Sequence, residues 1–202
     1  MEELARTIRA RRMVRAFTDE PVDDTLLDEL LDLCRRAPSA GNTRPWSFLV
    51  LRGADVDRYW ATTMPDADAR ASFRWQGLLR APVLVVPYVR PAAYAHRYAE
   101  ADKAATGLGA GVDAWPVPYW WVDGGAAIQN LLLAATAAGL GACFFGQFDH
   151  EADVRAAFEV PDDQRALGTV ALGWPAPDEP GRSQHRRRPR LDDIVHRGRW
   201  HD

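Results

Sequence analysis

The sequence predicts a layered fold that mixes helices and strands, of the α+β or α/β kind, and three observations lead there. Val83-Leu84-Val85-Val86 is a continuous apolar run following Pro82, the pattern of a strand covered on both faces. Leu26, Leu27, Leu30, Leu31 and Leu33/Cys34 recur at helical spacing and form one apolar stripe. Residues Val122–Ala138 are apolar nearly all round, as a helix buried between layers must be.

The elements follow in order. The segment through Arg12 reads as a helix with Leu4 and Ile8 on one face, and Val14–Phe17 reads as extended. Asp23 caps the next helix, which stops at Ala37 because Pro38 disfavours helical geometry in the residue before it. Ser47–Leu51 is a short strand ended by Gly53, and a surface helix begins at Asp55. Asp66–Arg80 reads as one helix and Pro82–Val89 as a strand. Residues 91–121 are irregular and lid-like, helical at first and then broken by glycines and prolines. Asp123 is placed as the cap of the Val122–Ala138 helix, and Gly139-Leu140-Gly141 ends it. Ala142–Phe145 is a buried strand, Glu151–Phe158 a short helix and Leu167–Trp174 a strand. A proline-rich linker, Pro175–Gln184, leads into a C-terminal arm over residues 175–202 that reads as docked.

The 202 residues suit a single domain with a substantial core. The hydrophobic share of 47% and charged share of 26% are those of a soluble globular protein. A net charge of −3 speaks against a nucleic-acid partner, despite arginines crowded at both ends. No stretch is long and apolar enough to span a bilayer, and the charged, amphipathic MEELARTIRA has no apolar core of signal-peptide length. Two cysteines, Cys34 and Cys143, form no disulfide framework, so the expected setting is the cytoplasm. The five histidines have no metal-ligand spacing, and no Ser-His-Asp or Cys-His arrangement is legible.

Two stretches carry chemistry. Arg11-Arg12-Met13-Val14-Arg15-Ala16-Phe17 concentrates fixed positive charge. Ala37-Pro38-Ser39-Ala40-Gly41-Asn42-Thr43-Arg44-Pro45-Trp46 is a polar turn-forming loop that runs straight into a strand. Alone, the arginines read as the wet face of a helix. Joined to the loop, they suit an anionic small molecule rich in oxygens, because guanidinium forks match phosphate.

These stretches, with Leu131–Gly146 (LLLAATAAGLGACFFG) and Arg186–Trp200 (RRRPRLDDIVHRGRW), resemble the nitroreductase family of flavin enzymes across nearly the whole chain. The resemblance implies an α+β fold with a mostly antiparallel central sheet wrapped by helices. It also implies an intertwined homodimer with FMN at the interface and NADH or NADPH as electron donor. Arg11, Arg12 and Arg15 match the residues that hold the phosphate, ribityl chain and pyrimidine edge. Met13 stands where the family usually has serine. Ser39, Asn42 and Arg44 match the loop that reaches the partner's flavin; glutamine is commoner at position 44, and arginine there resembles the flavin domain of bifunctional coenzyme F420 biosynthesis proteins. Cys143, Phe144 and Gly146 match the strand against the isoalloxazine ring, and Arg186 and Arg188 the C-terminal pair that grips the phosphate. A guanidinium beside the pyrimidine edge favours the reduced cofactor. The flavin carries the hydride, so no side chain is assigned as catalytic acid or base. Trp115, Tyr119, Trp120 and Trp121 fall where a substrate lid would lie. The chemistry implied is ping-pong reduction of nitroaromatics, quinones or enones. The alternatives are a same-fold enzyme of cofactor biosynthesis, which reduces an intermediate or fragments flavin, and a flavin binder without turnover.

Overall fold

The computed structural model describes residues 1–177, 181 and 186–200. The readings that fell on Arg182, Gln184, His185 and His201 lie outside these residues.

The centre is an antiparallel sheet in the order β1 (Trp46–Arg52), β2 (Val83–Val89), β5 (Thr169–Gly173), β3 (Gly141–Phe145), with the two-residue β4 (Arg165–Ala166) also pairing with β2. Every residue of β2 is buried, as its unbroken apolar run requires. One face of the sheet presents Val83, Val85, Val170, Leu172 and Ala142 to α2 (Asp24–Cys34) and α7 (Tyr119–Ala137). The other presents Leu84, Val86, Ala171 and Cys143 to α3 (Ala54–Thr63), α5 (Gln76–Leu79) and α8 (Glu151–Ala157). The side-chain period of two in each strand feeds both cores at once. The helix α1 (Glu2–Ala10) lies beside α7 with no residue of its own buried.

The Asp23 carboxylate caps α2, accepting from the N–H groups of Thr25 (2.8 Å) and Leu26 (3.3 Å). That helix ends at Cys34 rather than Ala37, because tighter turns take over: Arg36 N–H donates to Leu33 and Ala37 N–H to Cys34. The predicted helix over Asp66–Arg80 is two, α4 (Ala67–Ala71) and α5. The Gln76 amide folds back and donates to the carbonyls of Arg70, Ala71 and Phe73, satisfying the open end of α4 and breaking the path. The irregular region opens, as read, in a helix, α6 (Pro91–Tyr98), and continues through short 3-10 turns.

Two further corrections bear on the site. The helix α7 starts at Tyr119, so Tyr119, Trp120 and Trp121 stand on its first turn, and Asp123 is an interior residue, not a cap. The last strand is divided by Gly168, whose φ of 133° is open to glycine alone. A Cβ there would sit 2.6 Å from the Phe145 carbonyl oxygen and from the Phe144 ring. Gly168→Ala is therefore expected to destabilise the protein by more than about 2 kcal/mol, combining backbone strain with overpacking; urea unfolding measures it, and an unchanged midpoint would refute it.

The arm begins against its own chain, where Pro175 bridges to Phe17 and Ala176 N–H donates to the Ala16 carbonyl at 2.9 Å; further along, Leu191, Ile194, Val195 and Trp200 are exposed, as are Leu4 and Ile8 of α1. Among the described residues no helix is long and apolar enough to cross a membrane.

Candidate active site

The loop after α2 is built from unusual backbone. Gly41, Asn42 and Arg44 all have positive φ (62°, 56° and 51°), a conformation that costs a branched or long side chain energy. Hydrogen bonds within the loop offset that cost. Arg44 N–H donates to Ser39 Oγ at 2.9 Å, Arg44 Nε to Asn42 Oδ1 at 2.8 Å, and Thr43 Oγ1 to the Ala40 carbonyl at 2.6 Å. The loop is then clamped from two helices. Asp123 of α7 accepts from Ala40 N–H at 2.8 Å and from the Tyr94 hydroxyl of α6 at 2.6 Å. Arg97 Nε donates to the Gly41 carbonyl at 2.8 Å, and both Arg97 terminal nitrogens fork onto Asp102 at 2.7 and 2.8 Å. The result is a preorganised loop whose Asn42 and Arg44 face solvent.

Asp123, Tyr94, Arg97 and Asp102 are anchors of this loop that sequence reasoning missed. The one available signal was an acid inside a helix apolar on every side; it was read as a cap. Asp123 is only 8% exposed. Burial, and then the hydrogen bond to Asp123, raise the Tyr94 phenol far above its ordinary range. The Arg97 fork holds Asp102 below the usual carboxylate range against a smaller burial effect, and Asp102 in turn holds Arg97 up.

A second group assembles at β3. Met13 bridges to Ala142 in parallel, Val14 N–H donates to the Ala142 carbonyl at 2.9 Å, and Phe144 N–H points at Met13 Sδ at 3.4 Å. The thioether thus occupies a backbone donor that a serine hydroxyl would bind more strongly. Met13, Phe144 and Leu167 form one wall of a groove of about 410 Å³; Trp121, Gly125 and Gln129 of α7 form the other, over Ile128 and Leu132. No ionisable side chain lines it. Two residues before Met13, the Arg11 Nη1 is buried with no hydrogen-bond partner among the described residues. A buried cationic donor without an acceptor is costly, and an anionic oxygen would satisfy it.

The other site residues fall elsewhere. Arg12 is exposed, and Arg15 lies over the Trp75 ring at 5.2 Å, in a separate groove with Arg74 and Arg80. Strand alternation turns the Cys143 thiol into the opposite core from Phe144, away from the groove. Burial pushes the other thiol, Cys34, up to about 12. Gly146 is exposed at the end of β3, and Arg186 and Arg188 are exposed on the arm. Of the four aromatic residues placed in a lid, Trp121 alone lines the groove. Trp115 (7% exposed) is a core residue, edge-on to Tyr94 and Tyr98, with its Nε1 donating to Leu108 at 3.1 Å. Trp120 is buried in the same cluster, and Tyr119 is exposed.

The loop and the groove sit on different sides of α7. The loop hangs from the buried stripe that includes Trp120, Asp123 and Ala127, whereas the groove uses Trp121, Gly125 and Gln129, about half a turn away.

Comparison with known proteins gives this arrangement its context. Residues 8–174 match the family model described as Nitroreductase family. The chain belongs to the nitroreductase family. A relative from Archaeoglobus fulgidus, provisionally named NADH dehydrogenase/NAD(P)H nitroreductase, is 29% identical over 204 residues, covering 99% of this chain and 100% of the relative. A Rhodospirillum rubrum protein named 5,6-dimethylbenzimidazole synthase is 30% identical over 84% of this chain and 81% of its own. A provisionally assigned nitroreductase from Desulfovibrio desulfuricans, crystallised in complex with FMN, superposes with a TM-score of 0.69 at 26% identity, covering 98% of this chain and 97% of that one. As a member of this family of oxidoreductases, the chain has the nitroreductase-like α+β fold with an antiparallel sheet. The groove's lining fits the family's kind of cofactor in chemistry: apolar side chains without an ionisable group suit an aromatic ring system, and the unpartnered nitrogen of Arg11, two residues before Met13, suits phosphate or carbonyl oxygens.

Proposed function

We propose that this protein binds FMN between two copies of the chain and reduces electron-poor acceptors with electrons from NADH or NADPH. The observation that carries the reading is the buried, unpartnered Nη1 of Arg11, two residues before Met13, which itself lines an apolar groove free of ionisable side chains. When bound, FMN supplies a centre that accepts hydride from a nicotinamide and passes reducing equivalents to an acceptor such as a nitroaromatic, quinone or enone. Arg11 and Arg12 hold its anionic and polar edges, Arg15 assists from the side of Trp75, and Arg186 and Arg188 reach it from the arm. Met13 and Phe144 support the ring, with the backbone of Cys143 and Gly146 along its edge. Ser39, Asn42 and Arg44 approach from the second copy. Trp121 covers the open side. Because no acid or base lines the groove, the protons of the reaction come from solvent, and the protein's part is orientation and exclusion of water.

Two features support a homodimer. The loop and the groove of one chain lie on different sides of α7, so a second copy is needed to bring them together. Leu4, Ile8, Leu191, Ile194 and Trp200 are exposed and apolar, and a partner would cover them. Sedimentation at micromolar concentration should give a dimer.

The test is an absorbance spectrum of the purified protein before and after anaerobic NADH or NADPH. Flavin bands near ~450 nm that bleach support the reading. Bands that persist under both nicotinamides refute the proposed donor and favour a binder without turnover. A second reading, an enzyme of cofactor biosynthesis, is favoured by Arg44 and by the name of the Rhodospirillum rubrum relative. Aerobic incubation with reduced FMN separates the two: fragmentation of the flavin would support the second.

A further inference from the structure

One glycine of this chain has no reason in its own surroundings to be a glycine. Every other either has a positive φ or would bring a Cβ to within 3.3 Å of a neighbouring atom. Gly125 has neither: its φ is not positive, and a Cβ there would meet nothing within 4 Å. Its neighbour Gly124 shows the contrast, since a Cβ on it would stand 2.6 Å from Leu167. Gly125 lies in the interior of α7, where glycine weakens a helix relative to alanine because it surrenders more backbone freedom. The chain carries that cost at a position where neither turn geometry nor internal packing requires it.

The position opens into the groove. Trp121, Gly125 and Gln129 are spaced four residues apart, about 6 Å along the helix axis, and together they form the α7 wall. An indole stands at one end of that wall, an amide at the other, and bare backbone between them. The Gln129 side chain is exposed and makes no hydrogen bond among the described residues. It can both donate and accept, in a groove otherwise lined by apolar side chains and the Trp121 indole. The opposite wall, with Met13 and Phe144, is the one that supports the flavin ring in the reading above. The recess at Gly125 is therefore on the open side, where an acceptor arrives.

We propose that Trp121, Gly125 and Gln129 form a subsite for planar acceptors that carry a carbonyl or nitro oxygen. The proposal rests on the FMN-dependent reading above. The missing Cβ lets a flat ring lie close against the helix, the indole gives that ring an aromatic contact, and the Gln129 amide donates to its oxygen. The oxygen gains negative charge as the acceptor is reduced, so this hydrogen bond strengthens along the reaction.

The experiment follows the second half-reaction alone, so that it does not depend on the nicotinamide. FMN-loaded wild type, Gly125→Ala and Gln129→Leu are reduced with one equivalent of dithionite without oxygen, then mixed with menadione or with ferricyanide. Each menadione takes up two electrons and two protons to give the hydroquinone; each ferricyanide takes one electron and has no flat ring to seat. For Gly125→Ala the ratio of the menadione to the ferricyanide second-order rate constant should fall about tenfold, through a higher half-saturating menadione concentration. The same substitution should raise the urea midpoint of the FMN-free protein, because alanine is the better helix former. Gln129→Leu, which keeps bulk and removes the amide, should lower the ratio about fivefold. An unchanged ratio in either variant would overturn the proposal. So would a lower urea midpoint for Gly125→Ala, which would show that folding itself needs the glycine. Weaker FMN binding by Gly125→Ala would place the flavin against α7 and overturn it too, as would dissociation of a wild-type dimer, which would make the recess an interface contact. Wild type that takes up no FMN refutes the parent reading and this one with it. Wild type that is reoxidised by menadione but never bleached by a nicotinamide refutes only the proposed donor.

Discussion

Replacing Arg11 with methionine should weaken FMN binding at least about 30-fold while leaving the FMN-free protein as stable as the wild type, or slightly more stable. The two effects have one cause. In the free protein the Arg11 Nη1 is buried without an acceptor, and methionine removes that desolvated donor while keeping apolar bulk in its place. In the loaded protein the same nitrogen gains its partner, and loss of a buried charged contact of this sort costs about 2–5 kcal/mol. Thermal unfolding with and without FMN reads both signs at once. Ligand stabilisation grows with the logarithm of free ligand over its dissociation constant, so the gap between the two midpoints should shrink in the variant. A variant that loses stability equally in both states would show that Arg11 is a packing residue and that the groove's anion lies elsewhere.

The second large effect is expected at Asp123. Asp123→Ala leaves the Ala40 N–H and the Tyr94 hydroxyl unpaired at a buried position. Each unsatisfied group costs about 1–3 kcal/mol, so the loss should be about 2–5 kcal/mol. In a chain of 202 residues this corresponds to a fall in midpoint of roughly 5–15 °C. Both donors meet the same oxygen, Asp123 Oδ2, so Asp123→Asn can keep both bonds through its amide carbonyl and loses only their charge assistance; it should recover more than half of the stability. The variants also separate folding from function. With the Asp123 side of the clamp loosened, the positive-φ turn at Gly41, Asn42 and Arg44 keeps only the Arg97 bond to the Gly41 carbonyl as external support at full strength, and FMN affinity should fall in Asp123→Asn even at temperatures where the protein remains fully folded. Wild-type affinity in a folded Asp123→Asn protein would show that Ser39, Asn42 and the Arg97 clamp suffice to hold the loop.

How much of this was legible in the chain differs from element to element. The apolar run at Val83–Val89 encodes its burial directly, because a strand covered on both faces needs no polar residue. The Asp23 cap and the α2 stripe are local matters of spacing and side-chain reach, and they are present as read. The Asp66–Arg80 helix was not, because Gln76 closes the first helix with its side chain, and composition carries no trace of where an amide will point. The start of α7 was read three residues late because prolines and tryptophans conceal a helical turn that packing makes worthwhile.

By itself, the sequence determined a layered fold of mixed helices and strands, most elements, and the arginine and loop motifs, whose resemblance to the nitroreductase family narrowed the class to α+β. These depend on period, propensity and turn chemistry, which act over a few residues. Only the tertiary structure decided that Asp123 is an anchor for a loop 83 residues away, that Arg11 keeps a buried nitrogen unpaired, and that Gly125 opens into the groove between Trp121 and Gln129. It alone placed the loop and the groove on different sides of one helix. The physical reason is that a buried polar atom is specified by whatever faces it across the core, and that partner is set by how distant segments pack, not by neighbours in the chain.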